Sequence, residues 1–279
     1  MLLSRTYRPS ERLKPYIRRF YVFEAELPDD FVIEDFLLAE TAFVRCLLKG
    51  EWVGEVAPGK WSNPSKTLFF GSNQLPFRVR VQGSFAVAGF AIRPSAWRCV
   101  SLRPHHEFVD KLIALETMMW EDSQEMLKNV EAASDDEGKI AAMEQALWKR
   151  ITAIGQIEPD PEMAKFEAIA RTNSTIRIED AAERIGLSVR QMERRCKDHF
   201  GLTPKSVLRR SRFLDMAAAI RGFSSPDEHN LAELRFFDQS HLNREFKRFT
   251  QMTPGKFKKA ITPLQTAGLK LREESKFED

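Results

Sequence analysis

Cysteine is scarce: Cys46, Cys99 and Cys196 are the whole set in 279 residues. No two form a Cys-x-x-Cys pair, so neither a zinc ribbon nor a redox dithiol is indicated. So few cysteines, odd in number, also argue against a disulfide framework. Histidine is nearly as rare, with His105, His106, His199, His229 and His241. None lies in the first 104 residues, and the adjacent His105 and His106 point apart on a helix or a strand, which makes a poor chelate. There is no Gly-x-Ser-x-Gly elbow for a serine nucleophile, and Gly71-Ser72-Asn73 reads as a turn. No apolar run approaches the length of a membrane span. The opening Met1-Leu2-Leu3-Ser4-Arg5 turns polar too soon for a signal peptide. The expectation from these absences is a cytoplasmic protein with no metal, no cofactor, no catalytic residue and no membrane partner.

What is present is an ordinary globular balance of 43% hydrophobic and 30% charged residues, enough to build a core in each of two domains. The net charge is only +3, but it is unevenly placed. Residues 184–259 hold 17 Lys and Arg against 8 Asp and Glu, while the remainder holds 26 against 32. A basic segment on an acidic body points to a polyanionic partner for that segment, with a merely solvated helix surface as the plainer alternative.

Residues 1 to about 104 read as strand-rich. Phe20–Phe23, Phe31–Leu38, Phe43–Leu48, Thr67–Phe70, Phe77–Val81 and Phe85–Ile92 are aromatic or β-branched and are separated by Pro, Gly, Asn and Asp turns. Short strands at this spacing predict a barrel or a sandwich. Trp52, Trp61, Phe69, Phe77, Phe85, Phe90 and Trp97 either line that barrel or serve as plain core. Cys46 and Cys99 fit small buried hydrophobes better than oxidant sensors. Residues 106–157 are helix formers, with Ser134 as a candidate N-cap and Glu137 at the capping-box position. Trp120, Met126, Leu127, Leu147 and Trp148 pack these helices on the barrel or form a dimer seam. Pro159-Asp160-Pro161 reads as a stiff linker.

Beyond the linker the chain repeats itself at an offset of 50. Met192 matches Leu242, Arg194 matches Arg244, Lys197 matches Lys247, and Thr203-Pro204 matches Thr253-Pro254. Residues 192, 196 and 200, like 242, 246 and 250, lie four apart and form one buried helix face. Each Thr-Pro is an N-cap followed by proline at the first helical position. In the first unit Ala181, Ala182 and Ile185 give a short apolar helix, Gly186 the turn, and Ser188 the cap of a second, basic helix: a helix-turn-helix. In the second, Leu231–Leu234 is the first helix, Phe236-Phe237-Asp238 the turn and cap, and Gln239–Thr250 the second helix. The outward residues are Arg190, Gln191, Arg194 and Lys197 in the first unit. In the second they are Gln239, Ser240, His241, Asn243, Arg244 and Lys247. Arg bonds guanine bidentately, Asn and Gln bond adenine, and Lys and Ser suit phosphate. An α-helix fits the major groove, so the expected partner is double-stranded DNA.

These residues resemble the DNA-binding domain of AraC/XylS-type transcription regulators over about Phe166–Ile261. The carrying stretches are Gly186-Leu187-Ser188, Arg190-Gln191-Met192, Gly201-Leu202-Thr203-Pro204, and Phe236 through Phe249 followed by Met252-Thr253-Pro254. The resemblance implies two helix-turn-helix units joined by a long helix, here about Pro204–Arg221. The sequence departs from the family at Arg235 and Gln251, where Gly is usual, at Leu231, where Ala is usual, and at Cys196, where a large apolar residue is common. Tyr7 through Tyr21 and Gly89-Phe90-Ala91-Ile92-Arg93-Pro94 resemble the cupin-like N-terminal domain of a subset of these regulators, which implies small-molecule sensing or dimerisation. The fold expected is therefore α+β: a β-rich cupin-like barrel with following helices over 1–157 and a linker at 158–162. An all-α double helix-turn-helix domain over 163–262 and a flexible tail at 263–279 complete it. The expected function is a sequence-specific transcription regulator, not an enzyme. A small-molecule effector, a homodimer and RNA polymerase are its further candidate partners. The alternatives are a DNA-targeted enzyme, for which no nucleophilic Pro-Cys-His-Arg or four-Cys site exists, and an interaction protein that has lost operator binding.

Overall fold

The computed structural model describes residues 2–118, 120–155, 158–224, 236 and 238–274. The strands are β1 (Leu2–Tyr7), β2 (Ile17–Ala25), β3 (Val32–Leu37), β4 (Phe43–Ala57), β5 (Lys60–Ser62), β6 (Thr67–Phe70), β7 (Phe77–Ile92) and β8 (Leu112–Ala114). They form one antiparallel sheet in the order β1-β2-β7-β4-β6-β8, with β3 also on β7 and β5 on β4. β7 changes neighbours along its length. Residues 77–82 pair with β3, and residues 85–92 pair with β2. The two strands read from the sequence over 77–81 and 85–92 are thus one. Gly83, at φ +62°, does not break it, because its N–H donates to Phe31 O instead of closing a turn. Opposite it, β4 shifts register between Leu47 and Glu51. Gly50 sits there at φ +84°, where a Cβ would lie 2.2 Å from Ser84 O, so only glycine lets the strands cross this closely. Strands β1, β5 and β8 carry no strong alternation and escaped the sequence reading.

Both faces of the sheet are buried, and strand parity sorts the residues. Phe20, Val22, Val44, Cys46, Ala88 and Phe90 face the helices α1 (Trp97–Val100), α2 (Ser123–Ala132) and α3 (Asp136–Ile154). There Trp120, Met126, Leu127 and Leu147 are intramolecular core, while Arg12 stacks on Trp148 at 3.4 Å. The opposite, concave face holds Phe23, Phe43, Trp52, Phe70, Phe77 and Phe85. Of the seven aromatics considered for a barrel lining, Phe69, Phe90 and Trp97 therefore lie on the helix-covered face, and Trp61 stands on β5 under Arg80. The cap of α3 is Asp135, which accepts from Gly138 N at 2.8 Å, not Ser134. The stretch before α2 is built of 3-10 turns and the short β8, not continuous helix.

The C-terminal half is helical: α4 (Pro161–Thr172), α5 (Ile178–Arg184), α6 (Val189–Phe200), α7 (Pro204–Ile220), α8 (Gln239–Thr250), α9 (Pro254–Lys259) and α10 (Pro263–Glu274). α4 begins at Pro161 with Asp160 as its N-cap. The expected first helix of the second unit, Leu231–Leu234, and the Arg235 turn lie outside the described residues. The tail expected to be flexible from Pro263 is instead helix α10 as far as Glu274, and it buries Leu264, Gln265, Leu269 and Arg272. Its order comes from partners far away in sequence. Asp35 on β3 accepts from the N–H groups of Leu264 (2.8 Å) and Gln265 (3.2 Å), capping the helix across more than two hundred residues.

Candidate nucleic-acid interface and internal cavity

α6 begins with a reciprocal cap: the Ser188 hydroxyl accepts from Gln191 N, and Gln191 Oε1 accepts from Ser188 N at 2.9 Å. Such a cap is worth about 1 kcal/mol and sets where the helix starts. Met192 and Cys196 are buried against α4 and α5. That turns Arg190, Gln191, Arg194 and Lys197 outward, and all four are exposed. The cap also limits Gln191. Its carbonyl oxygen is engaged, and a bidentate adenine contact needs both ends of the amide.

α8 is built on the same plan. Asp238 accepts from His241 N at 2.6 Å, and Leu242, Phe246 and Phe249 pack on Phe213 of α7 and Phe257 of α9. Buried Glu245 pairs with Arg209 and fastens α8 to the long helix. Gln239, Ser240, Arg244 and Lys247 are exposed, and His241 and Asn243 are half-buried, with Phe236 beside the His241 ring at 5.4 Å. Among the described residues no carboxylate pairs with Arg190, Arg194, Lys197, Arg244 or Lys247. Arg195 and Arg209, by contrast, are held by Glu162 and Glu245. The 50-residue offset extends to the helix ends: Gly201 closes α6 at φ +74° and Gln251 closes α8 at φ +59°. The departure at Gln251 thus keeps a left-handed cap, at a cost of about 1 kcal/mol relative to glycine.

Sequence reasoning missed the joint between α6 and the sheet domain. His105 stacks on Trp97 at 4.1 Å, its Nδ1 is 2.8 Å from His199 O, and its Nε2 accepts from Ser72 N at 3.4 Å. Ser72 Oγ donates to Phe200 O at 2.8 Å. The Gly71-Ser72-Asn73 turn therefore seats the end of a helix. Burial pulls the His105 imidazole down to about 3, and it pulls His199 down as well, against the opposing pull of Asp160. Burial also pushes the Cys99 thiol up to about 11 and Cys46 to about 12, so neither carries appreciable thiolate near neutrality.

A second feature is a cavity of about 110 Å³ between the concave sheet face and α10. Trp52 and Phe43 form part of its floor, Leu264 and Leu269 part of its roof, and Arg45 projects from β4 into its wall. Its rim is a buried ionic cluster. Arg18 bonds Glu40 at 3.1 Å and pairs with Glu167 of α4. Arg272 of α10 bonds Asp215 of α7 at 2.8 Å and lies 3.6 Å from Glu40. Burial opposes ionisation of Glu40, but the guanidinium groups of Arg272, Arg18, Arg171 and Arg210 outweigh it and hold the carboxyl well below its ordinary range. The signal that would have exposed this wall is parity: Arg45 alternates with Phe43 and Leu47 at an inward position, where a plain core strand has an apolar residue.

Among the described residues no group of three or more His, Cys, Asp or Glu is placed to hold a metal, and no helix is long and apolar enough to cross a membrane. Residues 181–260 match the family model described as a helix-turn-helix domain. No curated protein matches the chain. Among solved structures, ToxT from Vibrio cholerae O395 is 11% identical, with 88% of this chain and 99% of that chain covered and a TM-score of 0.47. Unsaturated fatty acid bound wild-type ToxT from Vibrio cholerae strain SCE256 is 11% identical, covering 88% and 96%, at 0.49. The AraC-like transcriptional activator CuxR is 10% identical, covering 84% and 90%, at 0.24. Similarity at that level carries no argument about what this chain binds.

Proposed function

We infer, from the premise that this chain is a DNA-binding transcription regulator with an AraC-type helix-turn-helix domain, that the exposed faces of α6 and α8 read one stretch of duplex DNA in its major groove. The observation that carries this is the matched register of cations that, among the described residues, pair with no carboxylate: Arg194 with Arg244 and Lys197 with Lys247, each exposed at the same turn of its helix. Exposed cations on two helices built on the same plan suit guanine edges and phosphates. Residues 163–262 form the DNA-binding unit in this reading, and the sheet domain is the sensor, with the cavity under α10 as its effector site. No catalytic step is part of it. α10 follows the DNA-binding unit in sequence yet roofs the cavity and ties Arg272 to α7, so effector occupancy and the helix-turn-helix units share one element.

The test is selection of binding sites from random duplex DNA by the full-length protein. The expected product is a motif of two blocks about one helical turn apart. Arg194→Ala and Arg244→Ala each relax one block and weaken binding by about 1–3 kcal/mol. A motif and an affinity left unchanged by both substitutions would overturn the assignment.

A further inference from the structure

α6 does not stand clear of the sheet domain. His199 Nδ1 donates to Pro94 O at 3.1 Å, Asp160 N donates to Ser95 O at 2.9 Å, and Ser72 Oγ donates to Phe200 O at 2.8 Å. These bonds seat residues 94–104 along one flank of the helix. Between the two runs an open groove of about 530 Å³, walled on the sheet-domain side by Arg98 and Leu102 and on the helix side by Arg194, Arg195 and Asp198. Arg194 belongs both to this groove and to the outward face it shares with Arg190 and Lys197, because residues three and four apart lie on one side of a helix. The groove therefore opens beside the surface assigned to DNA.

Its arginines differ in what they hold. Arg195 bonds Asp160 at 3.2 Å and Glu162 at 2.6 Å. Arg98 is half-buried, and among the described residues no carboxylate pairs with it. Asp198 faces His106 at 4.0 Å. Leu102 stands 64% exposed at the rim. A guanidinium left without an internal anion is well suited to a phosphate from outside.

We propose that Arg98 of the sheet domain is a phosphate contact on the same duplex that α6 reads. The proposal rests on the reading of α6 as a major-groove helix and adds to it a backbone contact from the other half of the chain. A helix seated in a major groove about 12 Å wide has a phosphate backbone along each flank. On the flank of Arg195 and Asp198, residues 94–104 stand where that backbone passes, so they meet it in contact or in collision. Arg98, the cation there without a carboxylate, makes it contact. Phosphate contacts position a protein on DNA without reading bases. The sheet domain thus sets how α6 sits in the groove, while the motif stays with α6 and α8.

Affinity of the full chain for its selected duplex is measured against salt for the unaltered protein, Arg98→Gln and Arg98→Lys. Arg98→Gln weakens binding about three- to tenfold on selected and random duplexes alike, and lowers the slope of log affinity against log salt by about one. Arg98→Lys keeps the slope, and the selected motif is the same for all three. Leu102→Lys, at an exposed site, adds a cation to the rim, tightens binding and steepens the slope. If Arg98→Gln fails to fold, Leu102→Lys decides, and no gain in affinity then overturns the proposal. Unchanged or tighter binding by Arg98→Gln overturns it. So does weaker binding with an unchanged slope or a relaxed α6 block, which marks an effect through α6 and not on phosphate. Failure of the unaltered chain to select any motif removes the regulator reading itself. A clear motif, with Arg98→Gln indistinguishable from the unaltered chain, removes only the phosphate contact.

Discussion

Acidification is expected to loosen the joint between α6 and the sheet domain, and His105 carries a separable share of that effect. Its ring is buried against Trp97, Ser72 N donates to Nε2, and Nδ1 therefore carries the proton and donates to His199 O. A second proton has no acceptor, and burial holds the folded-state value at about 3, against about 6.5 in an unfolded chain. A depressed value contributes stability that is complete above about pH 6.5 and is lost as pH falls toward 3. Between pH 8 and pH 5 the loss is about 2 kcal/mol, from one and a half pH intervals below the unfolded value. The assay is urea denaturation at pH 8 and pH 5 for the unaltered chain and for His105→Phe. The variant keeps the stack and leaves Ser72 N and His199 O unpaired, so it is less stable at pH 8 by about 1–3 kcal/mol. Its further loss on going to pH 5 should be smaller than that of the unaltered chain by about 2 kcal/mol. An imidazole signal of His105 titrating near 6.5, or equal pH sensitivity in the two proteins, would refute the reasoning.

Asp35 works in the opposite direction. Burial raises its carboxyl to about 6 despite bonds from Phe36, Gln265 and Leu264 and the facing Arg221, so its contribution is complete below about pH 4 and is lost as pH rises through 6. Asp35→Asn is expected to flatten that window in thermal melts, whereas an unaltered slope would exclude Asp35 as its source. Gln251→Gly should stabilise the chain by about 1 kcal/mol by relieving the left-handed cap, and a lower denaturation midpoint would contradict this. Gly201→Ala should destabilise it, because a Cβ there would lie 2.6 Å from Val109 Cγ2 and 2.9 Å from Ser72 Oγ at φ +74°. An unchanged denaturation midpoint would show that the joint yields without cost.

The helix-turn-helix units were legible because their determinants are local. Ser188, Thr203, Asp238 and Thr253 each cap the helix that follows within three residues. The face at 192, 196 and 200 repeats at 242, 246 and 250, all of them buried. The strands were legible where one face alternates, as in Phe77–Val81, and illegible where β7 passes through Gly83 without turning. α10 was missed because nothing local orders it: Asp35, Arg19, Ser211 and Asp215, which hold it, lie elsewhere in the sequence. The same holds for Ser72 and His105, whose roles exist only once Phe200 and His199 arrive. Arg45 was readable in principle from its parity, but a charged residue in a strand reads as solvent-facing unless both faces are known to be buried.

The way the two halves meet decides what kind of switch the fold permits. One contact is apolar: Phe36 of β3 and Leu38 just after it share a core with Phe213, Phe246 and Leu269, and separating them exposes hydrocarbon to water. The other is ionic: Arg18, Glu167, Arg272 and Asp215 are buried, and with half-buried Glu40 they are mutually compensated. Removing one member strands a charge and is strongly destabilising, whereas parting the whole set returns every ion to water and recovers its hydration. The ionic contact is therefore cheap to open as a unit and expensive to damage piecemeal, and the apolar contact is the reverse. α10 contributes Leu269 to the first and Arg272 to the second while Leu264 closes the cavity. Movement of that single helix would alter all three contacts, and α7, which it touches through Arg272 and Asp215, is in turn fastened to α8 by Arg209 and Glu245.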